Sequence, residues 1–177
     1  MLGTKASYDE IQARWGYSEL RSDRWKHRCA NLVPQLRDRA FAGVPFDQLN
    51  TEQREEARHY LYACRPKFAD VAKCHSEYEC QAWSKEDVCR LRLPKAMNPR
   101  EVSLVEYANS PAADNPEDAR SAASLRLGSA FVPDPEAIIV CRPSEVSYLV
   151  DGYTRAILFI RFAEPDRMIL AWAPPID

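Results

Sequence analysis

Apolar residues recur at steps of three and four along the first half of the chain. Along the second half they fall in short runs, and the two halves therefore predict different elements. Ser7-x-x-Glu10 is a capping box that opens a short helix through Trp15, with Gly16 as its stop. A second helix is expected from Ser18, where Trp25, Cys29, Leu32 and Leu36 make an apolar stripe and Arg21, Arg24 and Arg28 fall on another face. Pro34 interrupts that helix or restarts it. Asn50, followed by Thr51-Glu52-Gln53, caps a third helix running to about Cys64 and ended by Pro66. Residues 67–93 read as one or two more helices, with Ser84-x-x-Asp87 as an internal start, and residues 95–100, with Pro94 and Pro99 at their margins, read as a linker.

Beyond the linker the period changes. Val102–Tyr107 is strand-like, and residues 109–116 carry turn chemistry. Pro116 to Leu127 favours a helix capped by Asn115 and stopped by Gly128. Ala137–Cys141 and Ser147–Val150 read as strands, Tyr153–Phe162 as a helix and Met168–Trp172 as a last strand. The expected fold class is α+β: a helical region over residues 1–100, then a small mixed-sheet domain over residues 101–177.

The turn at Asp151-Gly152 admits two readings. Asp-Gly between apolar runs signals a type I′ hairpin, which would pair Ser147–Val150 with Tyr153–Ala156. Alternatively a strand ends there and a helix begins. Ala156-Ile157-Leu158-Phe159-Ile160 does not alternate, and Glu164-Pro165-Asp166 is a natural helix stop before the next strand. The helical parse is the more economical. It places Thr154 and Arg155 in a first turn, where unpaired backbone N–H groups and the helix dipole favour an anion. Gly152 lets a phosphate approach the backbone and Arg155 can grip it bidentately.

Composition narrows the class. Hydrophobic residues make up 46% of the 177 residues and aromatics 10%, which excludes general disorder. No apolar run has the length of a membrane span, and no basic-then-apolar export pattern opens the chain. A cytoplasmic location is expected, with the six cysteines as reduced thiols. Residues 1–100 hold 18 Lys and Arg against 14 Asp and Glu, whereas residues 101–177 hold 6 against 12. That asymmetry suggests two regions with different tasks.

Ser124-Leu125-Arg126-Leu127-Gly128, then Pro135 and Ala137-Ile138-Ile139-Val140, then Tyr148-Leu149-Val150-Asp151-Gly152-Tyr153-Thr154-Arg155-Ala156 follow one another in the second half. In that order they resemble the ParB/sulfiredoxin-like fold, over about residues 101–175. The family's glycine and arginine contact nucleotide phosphates, a role the resemblance passes to Gly152 and Arg155. Tyr153 and its neighbours stand where sulfiredoxins carry their reactive cysteine, so redox repair chemistry is not implied. Only 22 residues follow Arg155, too few for the helix-turn-helix and dimerisation region of the segregation proteins. The arrangement is closer to small stand-alone members that act as nucleases or ATPases, and to the Osa-like fertility-inhibition proteins of conjugative plasmids. The resemblance thus implies ATP or another nucleotide, or DNA, as ligand, with Mg²⁺ as cofactor. It also implies hydrolysis of phosphate esters or anhydrides, or inhibition of plasmid or T-DNA transfer through a protein of the transfer machinery.

The remaining chemistry is sparse. His27, His59 and His75 all lie in the helical half, so a general base near the turn must be a carboxylate. Asp151 adjoins the turn, and Glu136 and Glu145 bracket the preceding strand; any of them could hold Mg²⁺ opposite a phosphate, although Asp151 equally suits turn geometry alone. With Arg155 they form the candidate catalytic set, and Gly152, Thr154 and Arg155 the candidate phosphate site. Arg21, Arg24 and Arg28 with Trp15, Tyr17 and Trp25 mix guanidinium with aromatics, which suits nucleic acid or else a core with a solvated outer face. Cys64, Cys74, His75, Cys80 and Cys89 lack the Cys-x-x-Cys knuckle of a zinc site, and Cys141 is read as core. A second class stands beside the enzyme: a non-catalytic interaction module whose Trp- and Tyr-rich helical half anchors a partner protein.

Overall fold

A computed structural model of the chain describes residues 2–21, 31–65, 71–93, 103–110, 126–127, 130–131, 137–142 and 144–175. They form an α+β fold whose two units are Ala6–Ser76 and Met1–Lys5 together with Glu77–Asp177. The sequence pattern puts the division near residue 100. The structure puts it between Ser76 and Glu77, because Glu77–Trp83 is a strand of the C-terminal sheet and not part of a helix.

The helical unit is built by its caps. Helix α1 (Tyr8–Glu19) opens at Ser7, whose hydroxyl accepts from the Glu10 N–H. It does not stop at Gly16. A Cβ there would lie 1.9 Å from the Ala57 carbonyl oxygen, so this glycine serves close helix packing rather than termination. Pro34 restarts the chain as the first residue of α2 (Pro34–Phe41). Leu36 is buried on α2 while Leu32 is exposed, so the two do not share a buried stripe; Trp25 and Cys29 lie outside the described residues. Helix α3 (Thr51–Cys64) opens with the reciprocal Asn50–Gln53 capping box. Ala13, Tyr17, Leu20, Leu36, Ala40, Phe46, Ala57 and Tyr60 form the unit's core. The buried Glu19 carboxylate accepts from the Trp15 indole at 3.0 Å and pairs with Arg65 at 2.8 Å.

The second unit is a five-stranded mixed sheet built from β1 (Lys5–Ser7), β2 (Glu77–Trp83), β5 (Ile138–Cys141), β6 (Tyr148–Asp151) and β7 (Ile169–Ala173). Across the sheet the order is β1-β2-β7-β5-β6. Two further strands, β3 (Arg126–Leu127) and β4 (Ala130–Phe131), form a separate antiparallel pair. Strand β2 runs antiparallel to β7, from Glu79 opposite Ala173 to Trp83 opposite Ile169. Strand β5 lies parallel to β7 and antiparallel to β6, with a register shift between Ile139 and Val140. The Cys80 N–H donates to the Thr4 carbonyl and the Gly3 N–H to the Cys80 carbonyl, while Lys5 pairs with Glu77 at 2.9 Å.

Three elements depart from the sequence pattern. Glu77, Glu79 and Gln81 alternate with buried Tyr78 and Cys80, a strand period inside a stretch expected to be helical. Leu104–Ala108, expected as strand, is helix α5, because Ser103 and Glu106 close a reciprocal capping box. Arg126–Leu127, expected to end a helix, is a strand, and the rest of that predicted helix lies outside the described residues. Between β2 and α5, Ser84 caps the short helix α4 (Lys85–Cys89) as its motif predicts. Helix α6 (Tyr153–Phe162) follows β6 directly, so Asp151-Gly152 is a strand-to-helix turn and no hairpin forms there. Its residues Ala156–Ile160 are buried among Leu91, Leu104, Ile138, Val140, Leu149 and Ile169.

Candidate functional site

The β6–α6 turn is held by backbone geometry that only glycine satisfies. Gly152 caps α6 with φ +86°, in the left-handed region. A Cβ on it would meet Ile138 Cγ2 at 2.5 Å, Ile138 Cα at 3.0 Å and Arg155 Nη2 at 3.0 Å. The side of Gly152 on which a Cβ would stand is thus packed against Ile138. No side chain caps the helix here, and the Ala156 N–H makes the first helical bond, to the Gly152 carbonyl at 2.9 Å.

Arg155 sits in the first turn of α6, as the helical parse requires, but it does not face solvent. Its side chain is 10% exposed, and Nη2 lies 3.4 Å from Asp151 Oδ2 and 3.4 Å from the Ala137 carbonyl oxygen. Asp151 is itself 14% exposed. The guanidinium thus ties the end of β6 and the start of β5 to the helix. Thr154 is half-buried beside it. Tyr153 packs edge-on against Tyr107 of α5, with ring centroids 5.1 Å apart, a pairing that the sequence pattern does not announce.

The other candidates are not brought to this turn. Glu145 is exposed in the loop between Cys141 and Tyr148, which is the opposite end of the β5–β6 pair from Asp151. Glu136 lies outside the described residues. Magnesium requires several oxygen ligands in octahedral array. Of the described candidate carboxylates Asp151 stands at the turn, where it pairs with the Arg155 guanidinium. Among the described residues no group of three or more His, Cys, Asp and Glu is arranged to hold a metal.

On the helical unit, Arg21 is exposed with its guanidinium carbon 5.9 Å from the Tyr17 ring centroid. Arg24 and Arg28 lie outside the described residues. Trp15 and Tyr17 are fully buried, so neither is a stacking platform nor a partner anchor; tryptophan and tyrosine at helical spacing here serve the core. Among the described residues of this unit the most exposed large apolar ones are Leu32 and Phe41, at 58% and 55%, and Arg37 lies over the Phe41 ring. Cys64, Cys80 and Cys141 are buried, Cys74 is exposed, and burial pushes the Cys89 thiol up, against the opposing pull of Lys85. No described helix is long and apolar enough to cross a membrane. Comparison of the chain with protein-family models, with curated proteins and with solved structures finds no match in any of the three.

Proposed function

We propose that the chain is a cytoplasmic phosphate-binding protein of the ParB/sulfiredoxin-like class, taking a nucleotide or DNA phosphate at the β6–α6 turn. One observation carries the reading. An anionic oxygen already rests there, the Asp151 carboxylate against Arg155 at the start of a helix, and a phosphate is the larger anion of the same hydrogen-bonding kind. The helix dipole and the guanidinium supply attraction without a metal. The proposed activity is binding.

The test is calorimetric titration of the full chain with ATP and with plasmid DNA, each with and without Mg²⁺, followed by an assay for released phosphate or cut DNA. Binding of either ligand that weakens at least about tenfold in Arg155→Lys is the expected result, since lysine keeps the charge and loses the fork. Absence of binding by the wild-type chain under every one of these conditions overturns the reading.

A second reading rests on Leu32 and Phe41, whose exposure suits a protein partner on the helical unit, such as a component of a DNA-transfer machinery. Under it, Phe41→Ala and Leu32→Ala abolish capture of one stoichiometric partner from the native host. Retention of that partner by both variants would exclude this surface.

A further inference from the structure

We draw no further inference here: the strongest candidate, the exposed apolar surface around Leu32 and Phe41 at the two ends of helix α2, carries nothing because nothing in the structure shows what covers it.

Discussion

Gly16 turns the bare side of its Cα onto the Ala57 carbonyl, closely enough that a methyl there would stand 1.9 Å from the oxygen and 2.7 Å from the carbon. Both atoms are backbone, and neither can swing aside. In an ordinary helix interior, glycine to alanine stabilises by about 1 kcal/mol. Gly16→Ala should instead destabilise by about 2–3 kcal/mol, because α1 and α3 must part. Urea unfolding followed by circular dichroism decides the sign, and equal or greater stability would refute the packing argument.

At Gly152 two costs coincide. Its φ of +86° is strained for any side chain, and the added Cβ would press on Ile138 at 2.5 Å. Gly152→Ala should cost about 2–4 kcal/mol, combining the left-handed penalty with overpacking. Asparagine tolerates left-handed backbone better than alanine does. Gly152→Asn should nevertheless fail to recover the loss, since the clash lies at Cβ. A clear rescue by asparagine in thermal melts would show that conformation alone required the glycine.

Arg155 has a structural role of its own at the turn. Its removal leaves Asp151, 14% exposed, without the guanidinium that neutralises it. Arg155→Ala should therefore lose about 2–4 kcal/mol of stability, and adding Asp151→Ala should restore part of it. A double-mutant cycle with no coupling would mean that the pair contributes nothing. For this reason Arg155→Lys is the better probe of ligand contact.

Hydrogen bonds from Ser84 hold the Asp87 carboxyl below its ordinary value of 3.8; the side-chain bond is the larger cause, at 2.6 Å, and the backbone bond is 2.9 Å. Ser103 does the same for Glu106. A depressed folded-state value means that the unfolded chain binds protons more readily. The stabilisation is then present above the ordinary carboxylate value and is lost as pH falls through the lower, folded one. Asp87→Asn should cost about 1 kcal/mol at neutral pH, as capping interactions do, and nothing at about pH 2. A cost that persists unchanged in acid would assign the effect to something other than the carboxylate.

Elements with their own punctuation were legible in the sequence. Helix α3 carries its capping box in Asn50 and Gln53, and α6 has Asp151-Gly152 before it and Glu164-Pro165 after, so both ends agree with the structure. Elements decided by distant partners were not. Strand β2 forms against β7, roughly ninety positions along the chain, and its alternation was outweighed by helical surroundings. Gly16 reads as a stop because nothing nearby reveals Ala57. The turn itself was found, but the direction of Arg155 was not, although Asp151 four residues earlier is the spacing at which such pairs form.

The pairing of Lys5 with Glu77, and of Gly3 and Thr4 with Cys80, closes the chain on either side of the whole helical unit. This closure bears on the order of folding. Bringing distant residues together costs entropy that grows with the free chain between them, and helices joined by local links form faster than sheets of remote strands. A helical unit that has already formed shortens that free chain, so β1 should join the sheet late. Its amide protons should then be protected after those of β2 and β7 in a refolding pulse. Gly16→Ala, far along the chain from any of these strands but β1, should delay β1 more than it delays the pairing of β2 with β7.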